Sequence, residues 1–292
     1  MTKLIAIVKL MRVHQWIKNL FLFIPLFFAG ELFNEDKLVE VILAFLVFSV
    51  SASAVYIVND ARDIEEDRNH PEKKYRPLAS GAIPIQFGYG LFFILLLAGV
   101  SFAYWLNTIF FIVLLSYLLL NLAYSFGLKK VPILDLLIVS IGFVLRVISG
   151  GLVADVLISQ WLIVMVFLLS LFIVLAKRRD DLVQAKSNGH SLRDSSKNYN
   201  MEFINSVLTM LSGIIVVAYI MYCLSEDTIA RFTTDKLYLT SIFVVTGILR
   251  YLQIALVENN SGYPTRIIFT DRFIQITLAA WALSFFFIIY YA

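Results

Sequence analysis

The chain holds one cysteine, three histidines and six prolines in 292 residues. A lone Cys223 cannot close an internal disulfide, and within an apolar run it reads as a packing residue. His14, His70 and His190 are too scattered for a histidine metal site. Only 15% of the residues are charged and the formal net charge is +3, too small a surplus to point to nucleic acid as a partner. The sequence has no P-loop, no G-x-G-x-x-G after a strand and no Ser-His-Asp set. Nor does it show an internal repeat, a low-complexity segment or a strand-like alternation. A short apolar stretch with a cleavage site is also missing: Lys3, Lys9, Arg12 and Lys18 lead into a long span, so the first helix is expected to be retained.

Apolar residues are what the chain has in excess. They make up 60% of it, and the mean hydropathy is +0.83, which predicts an all-α polytopic membrane protein, residues 1–292 forming one integral-membrane domain. A bilayer core about 30 Å thick takes about 20 apolar residues per helix. Nine such runs can be marked, at 17–33, 38–58, 85–105, 107–126, 132–153, 158–176, 203–224, 237–257 and 271–291. With the N-terminus cytoplasmic, nineteen Lys and Arg residues fall on the inner side and three, Lys37, Arg231 and Lys236, on the outer. That bias predicts an inner-membrane protein with cytoplasmic active-site loops and an external C-terminus.

The exception to the apolar pattern is NDARDIEEDRNHPEKKYRP at 59–77. Continued as a helix, it places Asp60, Asp63 and Asp67 within roughly 60° of arc. Carboxylates stacked this way repel unless a cation lies among them, and hard oxygen ligands at such spacing suit Mg²⁺, with Mn²⁺ as an alternative ion. Asn59 adds a neutral polar group at the rim. A magnesium held by one or two carboxylates keeps positions for substrate phosphates, so the cluster predicts a diphosphate-containing ligand. Arg68, Lys73, Lys74 and Arg76 follow as cations for it, and Pro77 and Gly81 in RPLASG turn the chain back toward lipid. A solvated loop whose basic residues only set topology is the plainer alternative.

N-D-x-x-D-x-x-x-D followed by R-P-L-x-x-G resembles the first signature of the UbiA superfamily of intramembrane transferases. RVHQWIKN at 12–19, AVYIVNDARDIEEDRNHPEKKYRP at 54–77, AYSFGLK at 123–129, LRVISGG at 145–151, KRRDDL at 177–182 and ILRY at 248–251 resemble its polyprenyl-phosphate phosphoribosyltransferase branch along nearly the whole chain. The resemblance implies nine helices around a central cavity and a Mg²⁺-dependent transfer of 5-phosphoribose from phosphoribosyl pyrophosphate (PRPP) to a polyprenyl phosphate. It leaves the oligomeric state open. Under it, Asp60, Asp63 and Asp67 carry the metal and the catalysis. Lys18, Asn19, Asn59, Arg68, His70, Lys73, Arg76, Tyr124, Lys129, Asp135, Arg146, Lys177, Arg178 and Asp181 are substrate contacts. Tyr124 and Lys129 match the superfamily's Y-x-x-x-K loosely, their spacing being five.

The second carboxylate motif is incomplete in KRRDDL. Arg178 and Arg179 take its place, which suits the extra 5-phosphate of such a donor. Arg146 lies eleven residues past Asp135, roughly 16 Å deeper by helical rise and out of its reach. A cation at membrane depth faces a cavity or a partner; the alternative is a structural bond to a helix carbonyl or an acid. Lys18 and Asn19 could equally be interface anchors. Two other functions stay open: a UbiA-type prenyltransferase acting from a polyprenyl diphosphate, and a transporter, with Arg146 marking its path.

Overall fold

The structure is a computed structural model. It describes the backbone of residues 3–69, 72–188, 199–259 and 264–291, and the side chains of all of these but 185–188, 264–266 and 290–291. All described elements are helical, and no strand occurs among the described residues. Among the described residues, eight helices are long and apolar enough to cross a membrane, as the composition predicts. The expected span at 17–33 takes the form of a shorter apolar helix, Val13–Phe28. The chain divides into two compact units, Met1–Lys129 with Gly142–Leu157 and Lys130–Ile141 with Ile158–Ala292.

In the first unit, α1 (Lys3–Leu10) ends at Arg12, whose left-handed backbone (φ 51°) starts a 3-10 helix over Val13–Phe23. α2 (Ile24–Phe28) follows with Pro25 in its first turn, where a missing N–H costs nothing. α3 (Glu35–Arg62) begins at an Asn34 cap, with Glu35 and Asp36 facing the positive end of the helix. It is the most buried of the spans, because its SVSASA stretch presents only small side chains and lets other backbones approach closely. The hydroxyls do not stay orphaned: Ser51 donates to the Val47 carbonyl at 2.8 Å and Ser53 to that of Ser49 at 2.9 Å.

A short α4 (Ile64–Arg68) and the turn through Pro77 and Gly81 (φ 74°) lead into α5 (Ile85–Leu106). Asn107, the expected polar break, caps α6 (Thr108–Phe126) by accepting from the N–H groups of Ile109 and Phe110 at 2.8 and 2.9 Å. α7 (Leu134–Val153) supplies residues to both units. Leu22, Phe48, Phe110, Leu114 and Tyr117 form the centre of the first unit's core.

The second unit contains α8 (Gln160–Asn188), α9 (Met201–Leu224), α10 (Glu226–Phe232), a 3-10 turn Lys236–Thr240, α11 (Ser241–Leu256), α12 (Pro264–Thr270) and α13 (Arg272–Tyr291). Phe172, Leu175, Leu208, Leu211 and Ile215 pack its core. Cys223 is fully buried with a free thiol, as a packing residue should be. Close by in the chain, the Tyr219 hydroxyl pairs with Thr240 at 2.5 Å and accepts from the Trp281 indole at 2.8 Å, so these polar atoms are satisfied inside the unit.

Candidate active site

The helix carrying the acidic motif does not run straight through it. α3 stops at Arg62, Asp63 sits at its end with φ −94° and ψ 10°, and α4 starts at Ile64. The expected single face of three carboxylates therefore splits. Asp60 and Asp67, 2% and 3% exposed, both accept from one nitrogen, Arg76 Nη1, at 3.1 and 2.6 Å. Arg12 approaches Asp60 with two nitrogens, Nε at 3.2 Å and Nη2. Asp63 instead pairs with Lys129 and accepts from Asn59 Nδ2 at 3.1 Å, while Ser125 donates to Asn59 Oδ1 at 3.3 Å.

Among the described residues no three His, Cys, Asp or Glu side chains group closely enough to hold one ion together. The donor set still fits a magnesium ion. Asp60 and Asp67 already converge on a single positive centre, and Mg²⁺ commonly takes one or two carboxylates and fills its remaining positions with water and substrate phosphate.

Below this cluster the 3-10 segment runs antiparallel to α3 and is tied to it rung by rung. Arg12 meets Asp60, Trp16 Nε1 donates to Ser53 Oγ at 3.0 Å, and Asn19 Nδ2 donates to Ser49 Oγ at 2.8 Å. Asn19 Oδ1 in turn accepts from Arg146 Nε at 2.7 Å. Arg146 also donates to the Gly142 carbonyl at 2.7 Å and to the Tyr117 hydroxyl at 3.0 Å, and its guanidinium lies 4.8 to 5.4 Å from the ring centres of Phe48, Tyr117 and Phe143. The helix-carbonyl bond weighed for Arg146 is thus present, with a neutral asparagine and a tyrosine beside it.

Of the other expected contacts, Arg68 donates to the Ala79 carbonyl at 3.2 Å and to Glu65 at 2.8 Å, bracing α4 against the turn. Lys73 and Tyr124 are half-buried, and His70 lies outside the described residues.

The second unit builds a separate network. Asp135, fully buried, accepts from Arg178 Nε and Nη2 on one oxygen at 3.0 and 2.9 Å and from the Tyr199 hydroxyl on the other at 3.0 Å. Arg178 Nη1 reaches Asp181 at 3.2 Å, and Lys177 is half-buried on the same helix. Arg179 closes the end of α11, donating to the Ala255 and Leu256 carbonyls and to Asn259 Oδ1 at 2.7 Å. Both arginines expected to await a phosphate are thus engaged by protein acceptors, since at the end of a buried helix the nearest carboxylates and bare carbonyls claim them. Arg250 is likewise held, by Asp271 at 2.6 Å and Glu258 at 2.7 Å. Its hydrogen bonds hold the Asp271 carboxyl below the usual carboxylate range.

Sequence reasoning passed over Arg12, Trp16 and Tyr117 as site residues, and Tyr199 altogether. The first two stand in the RVHQWIKN stretch, which was the available signal; Tyr117 and Tyr199 left none. Tyr199 accepts from the Ile133 N–H at 2.5 Å, and Ile133 has the left-handed φ of 69° that a β-branched residue avoids. Burial, helped by Asp135, pushes the Tyr199 hydroxyl up to about 12, so it stays a donor at working pH. Tyr199→Phe would strand both a buried carboxylate oxygen and a strained N–H. A loss of about 2 kcal/mol is expected in thermal melts of the detergent-purified protein; a melt like wild type would show that the hydroxyl does not hold this corner.

Residues 20–262 match the UbiA prenyltransferase family. The chain belongs to that family. Within it, the chain is 37% identical over 286 residues to the decaprenyl-phosphate phosphoribosyltransferase of Mycolicibacterium smegmatis, covering 94% of this chain and 90% of that protein. It is 33% identical over 283 residues to the protein of the same name from Corynebacterium glutamicum, covering 94% and 84%. A UbiA homolog from Archaeoglobus fulgidus, solved with GPP and Mg²⁺, superposes with a TM-score of 0.71 at 18% identity over 97% of this chain and 99% of that one, which shows the UbiA fold. This UbiA chain is therefore an integral membrane protein whose acidic motif opens at the end of its most buried helix.

Proposed function

We propose that this protein transfers 5-phosphoribose from PRPP to a polyprenyl phosphate, releasing pyrophosphate, and that residues 1–292 act as one transferase domain in the inner membrane with the acidic motif and N-terminus cytoplasmic. The observation that carries the reading is the buried pair Asp60 and Asp67 gathered on one cation with a second arginine on Asp60, in a chain related over 94% of its length to proteins named decaprenyl-phosphate phosphoribosyltransferase.

Asp60 and Asp67 are the residues that would hold Mg²⁺, and the bound ion would neutralise charge on the departing pyrophosphate. Arg76 and Arg12, already beside the carboxylates, contact donor phosphate oxygens, and Lys129 with Asn59 fixes Asp63 at the rim. As the bond from ribose C1 to the pyrophosphate oxygen breaks, the pyrophosphate leaves with the electron pair and C1 gains oxocarbenium character. An oxygen of the lipid phosphate then forms the new C1–O bond from the opposite face, with inversion. That oxygen is already anionic, so no general base is needed.

The test is purified protein in lipid nanodiscs with Mg²⁺, labelled PRPP and polyprenyl phosphate. Label is expected in the organic phase as lipid-linked phosphoribose, with chelation of the metal abolishing it. Absence of that product, together with chain transfer from a polyprenyl diphosphate to an aromatic acceptor, would overturn the assignment in favour of a prenyltransferase.

A further inference from the structure

Two cations of the first unit that are not exposed, Lys18 and Arg146, pair with no acid among the described residues. Arg146 is 5% exposed, and its three hydrogen bonds go to an amide oxygen, a carbonyl and a phenol, all neutral. A guanidinium has five N–H donors, so two of its donors stay unused among the described residues. Lys18 is half-buried, makes no hydrogen bond or ion pair among the described residues, and has as its charged neighbours two further cations, Arg146 and Arg12. Arg12 is neutralised by Asp60; Lys18 and Arg146 are neutralised by no acid among the described residues. Charges kept this way are costly at membrane depth unless a ligand supplies the opposite sign.

Their level in the unit says which ligand. Asn19, which holds Arg146, is bonded to Ser49 on α3, and Ser49 precedes Asp60 by eleven residues on the same face, about 16 Å along the helix. Arg146 thus lies well to the apolar side of the carboxylate pair, ringed by Phe48, Tyr117 and Phe143, and Lys18 directly precedes the asparagine that holds it.

We propose that Lys18 and Arg146 form a phosphate-monoester subsite, with Asn19 and Tyr117 orienting the guanidinium and the two cations sharing the dianion. Resting on the transferase reading above, the subsite belongs to the acceptor: a lipid phosphate brings its headgroup to this depth with its chain still in apolar surroundings, whereas PRPP arrives through water. The donor's 5-phosphate has the same chemistry, so the experiment separates the two.

Lys18→Met, Lys18→Arg and Arg146→Lys are compared with wild type, measuring KM for polyprenyl phosphate and for PRPP separately. Thermal shift with geranyl phosphate, and with geraniol as the uncharged control, gives a readout independent of turnover. Lys18→Met is expected to raise KM for polyprenyl phosphate roughly 10-fold with KM for PRPP unchanged. Lys18→Arg should restore most of it, Arg146→Lys should raise the same KM, and geranyl phosphate should stabilise wild type but not Lys18→Met. A rise confined to PRPP would keep the phosphate-monoester chemistry and move it to the donor, overturning the acceptor assignment. Folded Lys18→Met with both KM values unchanged, or equal stabilisation of both proteins by geranyl phosphate, would overturn the subsite. Failure of wild type to use PRPP, with the thermal shift intact, would fault the reaction and not the subsite.

Discussion

Asp67→Asn is expected to cut turnover by roughly 10²–10³-fold while leaving a folded protein. The carboxylate is almost fully buried and shares Arg76 Nη1 with Asp60 at 2.6 and 3.1 Å. Asparagine keeps the shape and still offers an oxygen to Arg76, so the local geometry survives. The charge does not. With one negative charge fewer, the oxygen pair attracts a divalent ion less strongly, and Arg76 is left to a single carboxylate. Both changes weaken stabilisation of charge building on the leaving pyrophosphate, which is where a transferase needing no general base has most of its advantage. Single-turnover rates across a Mg²⁺ titration, beside thermal melts, check this. A variant within a few-fold of wild type at every Mg²⁺ concentration would remove the metal assignment.

Gly150→Ala should damage the fold more than any comparable glycine change in the first unit. A Cβ at position 150 would lie 1.8 Å from the Leu22 carbonyl oxygen and 2.9 Å from Leu22 Cα. These are backbone atoms of the 3-10 segment, so no rotamer change relieves the clash, and α7 must separate from the segment that carries Trp16, Lys18 and Asn19. A loss of about 3 kcal/mol is expected. Gly99→Ala is the control. Its Cβ would meet Ser51 Oγ at 2.1 Å but Ser51 Cβ only at 3.2 Å, so turning the hydroxyl relieves most of the strain and about 1 kcal/mol is expected. Thermal melts in detergent decide it: equal melting of the two variants would mean that the α7 crossing is looser than these distances.

The part of the protein readable from the chain was the part governed by local composition. Apolar runs of span length need no partner to be recognised, because every backbone group in lipid must be bonded within its own helix. The capping of α6 by Asn107 and the turn at Gly81 follow from the chemistry of single residues. The shorter first span was not legible, because Lys18 and Asn19 read equally well as interface anchors until Asn19 is seen bonded to Ser49.

Side-chain partnership was the part not legible. Helical periodicity puts Asp60, Asp63 and Asp67 on one face, yet the break at Asp63 sends that carboxylate to Lys129, 66 residues away, and leaves the other two to Arg76. KRRDDL likewise looks like a row of cations for a phosphate, and in the fold Arg178 belongs to Asp135 and Arg179 to the end of α11. Arg146 and Asn19 are 127 positions apart, a separation over which no pattern carries information.

The sequence by itself therefore determined a helical membrane protein, its acidic motif and its family signature, because hydropathy and motif spacing are properties of neighbouring residues. Only the tertiary structure decided which charges cancel inside the protein and which, like Lys18 and Arg146, meet no acid among the described residues, because a buried charge is settled by whatever the fold brings within about 4 Å of it.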